Sequence, residues 1–195
     1  AATAADGEAH LGRAQVVVLA DRATPAYAEA PLAWMHLYPT GIDHVSIPEL
    51  RDASFPMTHK AVGSVVPMAE HAFALMLSAA RRLADYRDLQ RAADWRHYSV
   101  WPATALGQLA GRTLAIVGMG GVGRALARRA KAFDMRVVAV TRSPGAPSPE
   151  VDRLAGPGGL HAALAEADFV IVCVSLNDST YRLIDAAALA AMQPG

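Results

Sequence analysis

Short apolar runs alternate along the chain with stretches whose apolar residues recur at helical spacing. Residues 15–20 (QVVVLA) and 32–38 (LAWMHLY) are strand-length runs, the second closed by Pro39, Thr40 and Gly41, and residues 55–58 predict a third short strand. Phe73, Met76, Leu77, Ala80, Leu83 and Ala84 then repeat on one helical face, with Arg81, Arg82, Asp85 and Arg87 mostly off it, which predicts one long helix over 67–95. Pro67 suits its first turn, and Glu70 lies where the helix dipole favours a carboxylate. After an irregular stretch over 95–111 the register changes. Strands are expected over 113–117, 136–140 and 169–174, helices over 122–133, 160–167 and 183–192, and a Pro/Gly/Ser-rich loop over 143–159. Strands that are apolar throughout, alternating with helices, predict a doubly wound parallel sheet.

Inside this pattern, TLAIVGMGGVGR ends a strand and opens a helix. Gly118, Gly120 and Gly123 form G-x-G-x-x-G, and each has a separate job: a tight turn, close approach of a pyrophosphate to the backbone, and close packing of helix on sheet. The helix start adds unpaired N–H groups and the positive end of its dipole. With a strand before, a helix after and a second strand at the right distance, the motif reads as dinucleotide binding rather than a plain glycine turn. The second strand ends in Thr141, Arg142 and Ser143, without the carboxylate that would bind the ribose 2′-hydroxyl of NAD. Arg142 can pair with a 2′-phosphate, helped by the two hydroxyls, so NADP is favoured over NAD; a solvated arginine stacking on adenine is the bland reading.

Composition narrows the field. The 195 residues are 53% apolar, enough to bury a core, with 18 basic against 18 acidic residues and so no general pull towards nucleic acid. The single cysteine, Cys173, excludes an intrachain disulfide or a four-thiolate metal site, and it reads as inert core. His44, His59, His71 and His97 lack metal-ligand spacing, Glu70-His71 is no part of H-E-x-x-H, and Ser64 is not in G-x-S-x-G, so no metal site is assigned. Residues 1–21 do not form a signal peptide, and no run approaches the ~20 apolar residues of a membrane helix, so a soluble cytoplasmic chain is expected. Lys60 reads first as a solvated lysine, with contact to an anionic substrate as the alternative.

Five blocks occur in order: residues 32–45 (LAWMHLYPTGIDHV), 67–82 (PMAEHAFALMLSAARR), 109–129 (LAGRTLAIVGMGGVGRALARR), 167–180 (ADFVIVCVSLNDST) and 189–195 (LAAMQPG). Together they resemble the D-isomer-specific 2-hydroxyacid dehydrogenases, which include glyoxylate/hydroxypyruvate reductases and phosphoglycerate dehydrogenases. The resemblance implies a Rossmann-type NAD(P)-binding domain over 67–195, incomplete at its C-terminal side, and part of a flavodoxin-like substrate domain over 1–66. It implies that Thr40, Gly41 and Ile42 present N–H groups to the substrate carboxylate, as an anion nest would. Met68 matches the position that packs on the nicotinamide, and Gly120, Gly121 and Val122 the pyrophosphate contacts. Val174, Ser175 and Leu176 match the lining of the adenosine pocket, followed by Thr180; Ser175 stands where a proline is usual.

The resemblance further implies hydride transfer between NAD(P)H and a small 2-keto/2-hydroxy acid, and a homodimer formed through the cofactor domain. The family's catalytic arginine, glutamate and histidine lie past the M-x-P-G block, so no catalytic residue is assigned among these 195 residues, and residues 1–195 alone are not expected to reduce a keto acid. A non-enzymatic NAD(H)-sensing corepressor on the same fold is the rival reading.

Overall fold

The computed structural model describes residues 4–42, 47–60, 62–95, 106–145 and 148–194. They fall into two compact units: the first runs to Ser64 and includes Ser175–Ser179, and the second comprises Val65–Val174 and the residues from Thr180.

In the first unit, helices α1 (Ala4–Glu8) and α2 (Pro25–Glu29) accompany strands β1 (Val16–Leu19), β2 (Trp34–Leu37) and β3 (Met57–His59). The strands form one parallel sheet in the order β1-β2-β3, with Val16 opposite Trp34 and His36 opposite Thr58. Successive side chains alternate between the two faces. Leu19, Met35 and Leu37 join Leu11, Tyr27, Leu50 and Phe55 in a core, while Val16, Val18 and Trp34 are exposed. On that second face Thr58 Oγ1 accepts from Trp34 Nε1 at 3.0 Å and lies 2.9 Å from His36 Nδ1.

The second unit opens with α3 (Val65–Ala80) and α4 (Leu83–Arg91), not with the single helix expected over 67–95. Arg82 breaks it by adopting φ +52°, a left-handed conformation that a non-glycine residue takes only against a steric cost. The broken end is held elsewhere: the Gly107 N–H donates to the Ala80 carbonyl at 2.8 Å, and Arg82 pairs with Asp85 at 2.6 Å.

Strands β4 (Thr113–Val117), β5 (Arg136–Val140), β6 (Arg153–Ala155) and β7 (Phe169–Val172), with helices α5 (Gly121–Ala132), α6 (Leu160–Ala165) and α7 (Ala186–Ala190), complete this unit. All four strands are parallel in the order β6-β5-β4-β7. The chain therefore winds outward from β4 to β6, returns to β4's other edge, and reverses direction between β4 and β7. Leu114, Ile116, Val137 and Ala139 pack with α3 and α5, whereas Val117, Val138 and Val140 pack with α6 and α7. Both faces are covered, which is why β4, β5 and β7 carry near-continuous apolar runs.

Three expectations are corrected. The loop expected over 143–159 contains β6 and a short 3-10 helix at Pro157–Gly159; a three-residue edge strand with one partner needs no apolar pattern. The helix expected over 183–192 is confined to Ala186–Ala190, because Asp185 caps it by accepting the Ala188 N–H at 2.8 Å. Strand β7 ends at Val172, two residues early. The irregular stretch over 96–105 lies outside the described residues.

A repeated polar device marks where these strands begin. The Asp168 N–H donates to the Thr113 carbonyl at 2.9 Å, while Asp168 Oδ2 accepts the Thr113 N–H at 2.8 Å and Oδ1 pairs with Arg112 at 2.8 Å. Asp152 does the same one strand away: its N–H donates to the Val137 carbonyl at 3.0 Å, and Oδ2 accepts the Val137 N–H at 2.7 Å and pairs with Lys131 at 2.9 Å. Hydrogen bonds from Lys131 and Val137 hold the Asp152 carboxyl below its usual range. Burial pushes Glu166 up, but Arg136 and Arg153 outweigh it, and its net shift is downward.

A carboxyl with a lowered folded pKa stabilises the fold above its unfolded pKa and loses that contribution as pH falls through the folded value. The unfolded values are about 3.9 for Asp and 4.3 for Glu, so the loss is expected below about pH 4. Asp152→Asn is expected to lower the thermal midpoint at pH 7 and to flatten its decline in acid. Melting curves of both proteins from pH 7 to pH 2.5 check this, and a constant offset between them across that range would contradict it.

Candidate dinucleotide site

Gly118, directly after β4, has φ +108°, which glycine adopts without penalty. Its N–H donates to the Val140 carbonyl at 2.8 Å. A Cβ here would sit 2.8 Å from the Cys173 carbonyl oxygen and 3.0 Å from Val174 Cγ1. The first glycine thus lets the turn close onto the end of β7, at the point where the sheet reverses. Gly123 works from the other side. A Cβ there would overlap the Gly118 carbonyl oxygen and lie 3.3 Å from Ile116 Cγ2, so only glycine lets α5 lie this low on β4.

Gly120 differs: a Cβ at this position would have nothing within 4 Å. It caps α5 in an extended conformation and leaves open space in front of the helix's first turn. That turn carries N–H groups with no partner inside the helix and the positive end of the dipole. Together the open cradle, the donors and the reversal in strand order fit a pyrophosphate held outside the carboxyl ends of the strands.

Helix α3 runs alongside α5 in the same direction. Val65 Cγ2 lies 3.0 Å from where a Gly121 Cβ would be, Glu70 pairs with Arg129 at 3.3 Å, and Phe73 stacks on Phe133 with centroids 5.2 Å apart. Met68, on the first turn of α3, is half-exposed. Val122 is half-buried against the core formed by α3, α5 and β4.

At the end of β5 the Thr141 N–H bonds to the Ala155 carbonyl at 3.0 Å, and Arg142 and Ser143 are exposed. Arg142 makes no ion pair among the described residues, whereas Arg112, Arg129, Arg136 and Arg153 each hold a carboxylate. Val174 packs with α6 and α7, Ser175 and Leu176 are exposed, and Thr180 is half-buried. The Thr180 carbonyl accepts the Leu183 N–H at 3.1 Å. In the first unit, Thr40 is half-buried with Oγ1 3.2 Å from Ser64 Oγ, and Gly41 and Ile42 are exposed in the turn beyond β2.

Two residues that the sequence did not assign to the site, Cys173 and Arg124, touch the glycine turn. The Cys173 thiol donates to the Gly118 carbonyl at 3.0 Å, tying the glycine turn to the chain leaving β7. Burial pushes its pKa up to about 11, so the thiol stays protonated and acts as a donor rather than a nucleophile. Arg124 folds back so that Nη1 donates to the Met119 carbonyl at 2.9 Å, inside the glycine loop. Neither contact has a local signal; the first joins positions 55 residues apart. No group of three or more potential metal ligands occurs among the described residues, and no helix among them is long and apolar enough to cross a membrane.

Fold and turn together define a doubly wound dinucleotide-binding half. Comparison with known proteins makes the class specific. Residues 73–195 match the family model described as D-isomer specific 2-hydroxyacid dehydrogenase, NAD binding domain. A glyoxylate reductase of Thermococcus onnurineus is 35% identical over 162 residues, covering 80% of this chain and 48% of the relative. A glyoxylate reductase of Pyrococcus furiosus is 34% identical over 160 residues, with 80% and 47% covered. Among solved structures, a Thermus thermophilus protein superposes with TM-score 0.78 at 32% identity, covering 98% of this chain and 60% of that one. The D-lactate dehydrogenase of Aquifex aeolicus shares the fold with TM-score 0.82 at 22% identity, covering 96% of this chain and 56% of that one. The chain belongs to the D-isomer-specific 2-hydroxyacid dehydrogenase family, and its matching half is the NAD-binding domain. It spans about half the length of the curated relatives it matches.

Proposed function

We propose that the protein reduces a small 2-keto acid to the 2-hydroxy acid with a nicotinamide dinucleotide, and that residues 67–195 hold the dinucleotide while 1–66 contribute to the substrate domain. The observation that carries this reading is the Gly118 turn, closed against the end of β7, beside the open space at Gly120. Gly118, Gly120, Gly121, Val122 and Gly123 form the pyrophosphate cradle. Val174, Ser175, Leu176 and Thr180 line the adenosine side, and Met68 packs on the nicotinamide. Thr40, Gly41 and Ile42 direct backbone N–H groups at the substrate carboxylate. The bound dinucleotide supplies the hydride; these residues bind and orient. No catalytic acid or base is assigned among them. A cytoplasmic homodimer is part of the same reading.

Thr141, Arg142 and Ser143 set the preference for NADP over NAD. Arg142 is exposed and uncommitted among the described residues, so a 2′-phosphate meets a guanidinium that breaks no other pair to receive it. Titration of the intact protein with NADPH and NADH tests this. Arg142→Ala is expected to weaken NADPH about tenfold, in line with a charge-assisted hydrogen bond of roughly 1.5–3 kcal/mol that is partly solvated, and to leave NADH within about twofold. Tighter binding of NADH, untouched by the substitution, would sink the preference. Failure of the intact protein to oxidise NADPH or NADH with glyoxylate, hydroxypyruvate or pyruvate would sink the activity.

A further inference from the structure

Beyond the carboxyl ends of β2 and β3, the first unit holds a half-buried lysine, Lys60, whose ammonium meets no carboxylate among the described residues. The Lys60 N–H donates to the Leu37 carbonyl at 3.3 Å, which fixes its backbone beside β2. Its Nζ lies 5.1 Å from the centre of the Tyr38 ring, a cation–π contact. The side chain crosses directly over Gly63. A Cβ on Gly63 would overlap Lys60 Cε and lie 2.9 Å from Nζ. Ser64, the next residue, is joined to Thr40 through their hydroxyls, 3.2 Å apart. One contiguous cluster therefore connects the ammonium, through Gly63 and Ser64, to the turn of Thr40, Gly41 and Ile42.

Among the described residues the charge of the cluster is one-sided. Lys60 makes no ion pair among the described residues, whereas the other lysine of the chain, Lys131, is paired with Asp152 at 2.9 Å. An ammonium drawn against a ring and a glycine backbone has given up part of its hydration. Tyr38 offers a π-face and the hydroxyls of Thr40 and Ser64 offer dipoles, but none of these cancels a full charge. A small anion does, and the adjacent turn offers backbone N–H groups of the same polarity.

We infer that Lys60 is a substrate-anchoring residue: its ammonium holds the carboxylate of the 2-keto acid together with the turn at Thr40, Gly41 and Ile42. This rests on the activity proposed above and extends it, because the family resemblance assigned no side chain of this loop to the substrate. Lys60 acts in binding rather than in proton or hydride transfer, so its removal raises KM and spares kcat.

Glyoxylate is the discriminating substrate, since its carboxylate is its only anionic group. In the intact protein, Lys60→Met is expected to raise the KM for glyoxylate about tenfold, with kcat and the KM for the dinucleotide within about twofold. Lys60→Arg should recover most of the loss. Gly63→Ala, whose new methyl meets first the flexible end of Lys60, should act in the same direction by displacing the amine. A glyoxylate KM unchanged in Lys60→Met overturns the inference.

A second measurement does not depend on turnover. With 13C-labelled lysine, the Lys60 Cε resonance, assigned by its loss in Lys60→Met, should shift saturably on titration with oxalate while that of Lys131 stays in place. A Lys60 resonance that oxalate leaves unmoved also overturns the inference. If the wild-type protein reduces no 2-keto acid, the proposed activity falls, and the oxalate titration still decides whether Lys60 holds a carboxylate.

Discussion

Gly123→Ala is expected to lower the thermal midpoint by about 2–12 °C and to weaken binding of both dinucleotides. The new methyl would overlap the Gly118 carbonyl oxygen and press on Ile116, and neither group has room to retreat. Gly118 is held through its N–H by Val140, its carbonyl accepts the Cys173 thiol, and Ile116 is fully buried. Relief has to come from lifting α5 off β4, which opens the core around Leu126 and Ala130. Overpacking of this kind costs roughly 1–3 kcal/mol, and each kcal/mol moves the midpoint of a chain this size by about 2–4 °C. Gly158→Ala is the control, since a methyl there meets nothing within 4 Å. Differential scanning calorimetry of the two variants beside the wild type checks the expectation. Equal midpoints for all three would show that α5 can be raised without cost.

The second large effect falls on affinity and leaves the fold nearly intact. Gly120→Ala is expected to weaken NADPH and NADH alike by at least about tenfold, with a midpoint within a few degrees of wild type. The protein offers nothing for the new methyl to strike, and the backbone there is extended, a conformation alanine accepts. Exchanging glycine for alanine at a helix N-cap costs on the order of 1 kcal/mol or less. In the proposed binding mode the methyl instead occupies the space through which a pyrophosphate approaches the N–H groups of α5. Isothermal titration with each dinucleotide measures the loss, and affinities within twofold of wild type would remove Gly120 from the cradle. The two glycines thus separate cleanly: one excludes side chains on behalf of the protein, the other on behalf of the ligand.

Much of this was legible in the residues, for identifiable reasons. β4 and β5 follow from the sequence because each opens on a polar residue, Thr113 or Arg136, and continues as an apolar run of four that ends at Gly118 or Thr141, and burial on both faces demands such a run. The glycine turn was legible because each glycine answers a steric need that spacing alone expresses. The break at Arg82 was not: the apolar spacing continues through Leu83 and Ala84, and what ends α3 is Gly107 meeting the Ala80 carbonyl from far along the chain. Strand β6 was hidden because an edge strand of three residues carries no period. Within the site, Cys173 read as inert core on apolar context, which described its reactivity correctly and missed its position. Lys60 read as solvated, because no spacing reveals that a lysine lies over a glycine and a ring with no counter-charge among the described residues.

The paired aspartates at the strand starts bear on how the sheet finds its alignment. A strand with one wet face cannot slip by a single residue without turning its apolar side chains outward, so burial itself fixes the pairing. β4 has no wet face, every residue of it being buried, and a slipped β4 would bury a nearly equivalent set of side chains. Hydrophobicity therefore leaves its alignment almost degenerate. The clamp of Asp168 on Thr113 removes that degeneracy, because a slip of one residue breaks both of its hydrogen bonds and carries Arg112 out of the ion pair, and the clamp of Asp152 on Val137 fixes β5 against the start of β6 in the same way. In this half of the molecule a few charged groups at the sheet's rim specify an alignment that the interior stabilises but cannot choose.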